Sequence, residues 1–225
     1  MDVGEWPAVS PWALLSVAAE RGGDRKPRLL ACAWCRHILD HLPPDRPLQG
    51  VRADWLRGVI AAAEREADGP PAPPGVPIPE PAVVTVTDPA TQMVRWLTFA
   101  PGTFEPALFE EMPAVAARLL GAGGDAEWYA EFERRQRGLN ALIFEIFGRG
   151  FDLPWIDPEW CTWNGGDVPN LAQTIYDDDR FDLLPILADA LEEAGCDHAD
   201  ILTHCRGPGP HVRGCWVVDI ILGKS

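Results

Sequence analysis

Apolar positions recur at helical spacing over most of the chain, and Gly and Pro divide them into segments. Residues 11–21 read as a short helix with Pro11 in its first turn, stopped by Gly22-Gly23. A second helix is expected over 25–42, with an apolar stripe of Ala31, Cys35, Ile38, Leu39 and Leu42. Arg36 and Asp40 lie one turn apart on its other side and are expected to pair, and Pro43-Pro44 ends it. A third, over 51–67, carries Val51, Trp55, Val59 and Ala62 at helical spacing and ends at Asp68-Gly69. Further on, 105–120 reads as helix. Asp125 to Phe147 reads as a long one, with Trp128, Phe132, Leu139, Leu142, Ile143 and Ile146 inward and Glu131/Arg135 and Glu133/Arg137 as solvent-face pairs. Asp167, Asp182 and Asp197 are placed to cap helices running through Tyr176, Ala194 and Cys205, with Gly195 as a terminator. The apolar tail 212–222 fits a buried helix or strand by period alone, and Gly223 favours helix.

Two stretches interrupt this pattern. From Pro70 to Pro81 the run PPAPPGVPIPEP lacks the backbone donors of a helix or central strand, so an extended connector is expected there. Val83 to Thr87 is a short β-branched run that reads as one minor strand or as extended chain. The second stretch, 148–166, is a loop rich in Gly, Pro and Trp, whose Trp155, Trp160 and Trp163 are expected to fold back over the core. The predicted architecture is a mainly α, compact helical array. It comprises a helical segment over 1–69, a Pro-rich connector over 70–104 and a helical segment over 105–225, the two helical segments able to pack as one domain. No internal repeat is evident, which argues against a solenoid.

Composition narrows the function classes. A hydrophobic fraction of 47% allows a real core, and ten Trp against two Tyr supply large packing anchors. A formal charge of -15 repels phosphate backbones, so nucleic acid is a poor direct ligand and a basic protein a better partner. The start lacks the basic and apolar regions of a signal peptide and no stretch is long and apolar enough to span a membrane, so a cytoplasmic protein is expected. In that compartment the six Cys are expected to be free thiols.

Three groups of residues invite chemical readings. Cys32 and Cys35 share one helical face, whereas His37 and His41 lie about 200–240° round the helix from Cys35 and do not converge with it on one ion. A zinc site would need partners from elsewhere. Cys205 and Cys215 are the natural choice, since four thiolates from Cys32, Cys35, Cys205 and Cys215 would make a structural zinc site. Without that contact these Cys are core residues. Arg206, His211 and Arg213 surround a Gly-Pro-Gly-Pro turn and form a candidate small-anion site, against the plainer reading of Arg side chains satisfying nearby carbonyls and carboxylates. Asp177-Asp178-Asp179 reads as a helix junction more than as a cation site. No phosphate loop, nucleophile elbow or zinc-protease pattern is present, and nothing positive supports an enzyme.

Two stretches, Asp24-Arg25-Lys26-Pro27-Arg28-Leu29-Leu30-Ala31-Cys32-Ala33-Trp34-Cys35 and His204-Cys205-Arg206-Gly207-Pro208-Gly209-Pro210-His211-Val212-Arg213-Gly214-Cys215-Trp216-Val217-Val218-Asp219, resemble a paralogue-rich family of uncharacterised proteins from large bacterial genomes. The resemblance covers about the first 70 and the last 80 residues and implies one folded unit, with no activity to transfer. His37 departs from the basic residue usual there, which weakens a metal role for it. The function expected is a non-catalytic protein–protein interaction, of accessory or immunity type, with zinc-stabilised and anion-binding proteins as alternatives.

Overall fold

Burial along each helix decides which face of it the chain uses. The structure, a computed structural model, describes residues 16, 23–42, 52–69, 89–98, 111–120, 125–148 and 153–224, and every regular element among them is helical. The helix expected over 11–21, apart from Ser16, lies outside the described residues, as do the Pro70 to Pro81 stretch, the run Val83 to Thr87 and residues 105–110 of the helix expected over 105–120. The chain divides into two compact units, Met1–Ile143 and Phe144–Ser225.

In the first unit α1 (Arg25–Asp40) is buried nearly all round from Pro27 to Cys35. It packs against α2 (Ala53–Asp68), α3 (Pro89–Leu97) and α4 (Met112–Leu120). Having neighbours on several sides explains why its buried surface is wider than the single stripe expected. Arg36 does not pair with Asp40: it forks onto Glu64 of α2 at 2.9 and 2.6 Å, while Asp40 takes Arg57 at 3.1 Å. A carboxylate presented by a packed neighbour offers two-point geometry that an i,i+4 pair on one helix does not. The buried stripe of α2 is Leu56, Val59, Ile60 and Ala63: Val59 is buried as expected, Leu56 and Ala63 take the places expected of Trp55 and Ala62, and Val51 lies outside the described residues. Trp55 is half-buried and Ala62 exposed.

Residues 89–97, inside the segment expected to be a connector, form α3, which buries Met93, Val94, Trp96 and Leu97. Its short length hid it, because nine residues give barely two helical repeats beside a long Pro-rich run. Arg28, itself buried, donates to the Leu97 carbonyl at 3.0 Å and so satisfies an acceptor at the C-terminus of α3. The long helix α5 (Asp125–Phe147) forms both expected pairs, but only Glu133 with Arg137 lies on the solvent face; Glu131 and Arg135 pair largely buried.

In the second unit the core gathers Val168, Ala172, Ile175 and Tyr176 of α7 (Asp167–Asp177), Leu184, Leu187, Ala188 and Leu191 of α8 (Leu184–Glu193), Ile201 and Cys205 of α9 (Ala199–Arg206) and most of α10 (Trp216–Leu222). The apolar tail is therefore helix, closed by Gly223 at φ 66, a left-handed conformation that glycine takes without steric penalty. Gly195, at φ 97, ends the α8 segment in the same way. The capping expectation needs correction. Asp167, Asp182 and Asp197 accept no capping bond; Gly166, Leu183 and His198 hold the N-cap positions, and Asp182 pairs with Arg180 instead. Asp157 does cap: it accepts from the Glu159 amide at 2.9 Å ahead of the short α6 (Pro158–Thr162). No helix among the described residues is long and apolar enough to cross a membrane.

Candidate functional site

The last turn of α5 carries Glu145, only 4% exposed, into the interior of the second unit. Facing it are His204 from α9, His211 from the turn after α9, and Cys215 and Trp216 at the start of α10. Glu145 Oε2 lies 3.3 Å from His204 Nε2 and 3.1 Å from His211 Nδ1, and Oε1 accepts the Val212 amide at 3.3 Å. The Cys215 thiol is 3.2 Å from His204 Nε2 and also hydrogen-bonds the carboxyl group.

The partners of the two rings assign most of the protons. Trp216 Nε1, which can only donate, lies 3.1 Å from His204 Nδ1, so that nitrogen is the acceptor and the proton of His204 sits on Nε2, aimed at Glu145 and Cys215. His211 Nε2 lies 3.1 Å from the Gly207 carbonyl, an acceptor only, so Nε2 carries a proton and Nδ1 faces Glu145. One further proton is shared along the Glu145–His211 contact. Burial pushes the Glu145 carboxyl up, with the hydrogen bond from His211 opposing it. Burial pulls His211 down, but the Glu145 carboxylate outweighs it and raises the imidazole above its ordinary value.

Neither Cys205 nor Cys215 is set up as a nucleophile. Burial first, then Glu145, pushes Cys205 up to about 12 and raises Cys215 well above the ordinary range. His204 presents Cys215 with a proton where a base would present a lone pair. Metal ligation is chemically better matched. One carboxylate oxygen and one nitrogen of each ring lie within 4.8 Å of one another, and this is the group of three or more ligand-type side chains that the described residues bring together. His211 has the outer partner of a ligating imidazole, an N–H given to a carbonyl. His204 does not, because a lone pair offered from Nε2 places a proton on Nδ1 against the indole N–H. Losing that hydrogen bond costs about 1–3 kcal/mol.

The remaining sequence-derived candidates are placed as follows. Cys32 and Cys35 belong to the first unit, where their thiols approach the carbonyls of Ile60 at 3.8 Å and Met93 at 3.9 Å, and burial raises both well above the ordinary thiol range. Cys205 and Cys215 belong to the second. Arg206 is engaged by Asp189 and Glu192, each at 2.7 Å. Arg213 donates to the Tyr176 carbonyl at 2.8 Å, pairs with Asp179 at 3.2 Å and lies over the Tyr176 ring. His211 faces Glu145, so Arg206, His211 and Arg213 each meet a protein acceptor. Trp160 packs half-buried on the core and Trp163 is half-buried, but Trp155 does not fold back: it is 80% exposed.

Glu145 went unrecognised in the sequence. The available signal was a carboxylate between the inward-facing Leu142 and Ile146, at the edge of a buried stripe. No protein-family model, curated protein or solved structure matches the chain.

Proposed function

We propose that the protein is non-catalytic and acts by binding another protein, in an accessory or immunity-type role, through the acidic surface of its second unit. The observation that carries this reading is Trp155, an indole 80% exposed beside Leu153, which is 37% exposed. Exposed indoles are the side chains that contribute most when an interface buries them. The surrounding charge points to a basic partner. Residues 144–225 hold fifteen Asp and Glu against five Lys and Arg, ten of the chain's fifteen net negative charges. Ile186 on α8, 55% exposed between Asp182 and Asp189, adds a second apolar point on an acidic face. Such a surface steers a basic protein and repels nucleic acid.

The test is affinity capture from the native host with the full chain and with Trp155→Ala, at low and at raised salt. A basic protein held at low salt, released by salt and held at least tenfold more weakly by the variant is the expected result. No such protein, or equal retention by both chains, overturns the reading.

A further inference from the structure

We infer that Glu145, His204 and His211 form a site for one divalent zinc ion inside the second unit, with Glu145 Oε2, His204 Nε2 and His211 Nδ1 as ligands. Two of its edges have the right length. Ligands about 2.0–2.1 Å from a tetrahedral zinc stand about 3.3 Å apart, and the carboxylate oxygen lies 3.3 Å from one ring nitrogen and 3.1 Å from the other.

The donor set also narrows the metal to a first-row transition ion or zinc. Two imidazoles and one carboxylate suit zinc and not calcium or magnesium, which take oxygen ligands. Cys215 places a thiol 3.2 Å from His204 Nε2, adding a soft donor beside the site. The outer partners hold two of the three ligands in place. The Val212 amide fixes Oε1 of Glu145 and the Gly207 carbonyl fixes His211 Nε2. The third, His204, must move its proton from Nε2 to Nδ1 and give up the bond from Trp216. His204 is therefore the weakest ligand, and Trp216 the residue that sets how weak.

The ion ties the end of α5, the end of α9 and the start of α10 together, which makes it structural and leaves the proposed partner-binding surface outside it. This ligand set draws on one unit alone and does without the four thiols Cys32, Cys35, Cys205 and Cys215.

The experiment strips the full chain with chelator, restores zinc, and reads metal content together with a competition titration. One zinc per chain is expected, with binding at least tenfold weaker in Glu145→Gln and in His211→Gln and unchanged in Cys32→Ser/Cys35→Ser. Cobalt absorption of the wild-type chain gives a readout that needs no variant: strong visible bands of a four-coordinate ion support the site. No stoichiometric zinc, the weak bands of a six-coordinate surface ion, or binding abolished by Cys32→Ser/Cys35→Ser overturns it.

Discussion

Each unit of the chain sets a half-buried histidine against one charged side chain, and His37 in the first unit and His211 in the second are shifted in opposite directions. In the first unit His37 stacks on Trp34, with ring centroids 5.3 Å apart, and Arg135 Nη1 stands 2.9 Å from its Nε2. An arginine can only donate, so that nitrogen must keep a free lone pair. Burial, then His41 and Arg135, lowers His37 to about 4. In the second unit a carboxylate occupies the place that a guanidinium takes in the first, and His211 is raised instead. An imidazole next to a cysteine-rich helix is thus neutral or proton-holding according to the one side chain aimed at it.

The largest effect expected from breaking this contrast is in the second unit. Glu145→Ala leaves the Val212 amide and two imidazoles without their shared acceptor, and truncating one partner of a buried pair costs about 3–5 kcal/mol. Urea unfolding followed by the fluorescence of the second unit's Trp residues should show that loss. Leu at the same position should recover part of it by filling the space, while Gln should recover more by retaining the bond to Val212.

The next effect belongs to the first unit and depends on pH. A histidine depressed in the folded state contributes stability that is complete above its unfolded value and lost as pH falls towards its folded value. For His37 the window runs from the model-peptide value of 6.5 down to about 4. Discounted for solvent at this half-exposed ring, the loss is about 1–2 kcal/mol. Thermal melts between pH 7 and pH 4 should shift less in His37→Gln than in the wild-type chain.

A smaller change sharpens the metal side of the comparison. Trp216→Phe removes the N–H facing His204 Nδ1, so zinc should bind about fivefold more tightly, the equivalent of one hydrogen bond of about 1 kcal/mol. Zinc competition against a chromophoric chelator measures this directly. Smallest of all is the effect of Trp155→Ala on stability, within about 0.5 kcal/mol, because its exposed indole contributes little packing. A larger loss in denaturant unfolding would mean that Trp155 supports the fold and is no surface anchor.

Helical content was legible because it depends on near neighbours. The inward stripe Leu139, Leu142, Ile143 and Ile146 of α5 and the glycine ends at Gly195 and Gly223 follow from spacing and backbone freedom alone, while Trp128 and Phe132, expected inward too, are only half-buried. The burial of Leu56 in place of Trp55 on α2 was not legible, since both are apolar and only the position of α1 selects between them. Capping failed for a related reason. Asp182 had a choice between the backbone and Arg180, and the guanidinium two residues away took it in a two-point bond. Of the candidate cluster, the density of His and Cys in 204–215 was visible, but its carboxylate was not.

By itself the sequence determined a helical chain, an acidic surface and the supply of imidazoles and thiols, all of which follow from composition and short-range period. Tertiary structure alone decided which of those groups meet. Glu145 reaches His204 and His211 across 59 and 66 positions of sequence because α5, α9 and the turn before α10 converge in the second unit. Trp216 then sets the proton of His204 through a bond that no spacing rule anticipates. A buried polar group takes its charge and tautomer from its partners, and those partners are fixed only when the apolar faces have packed.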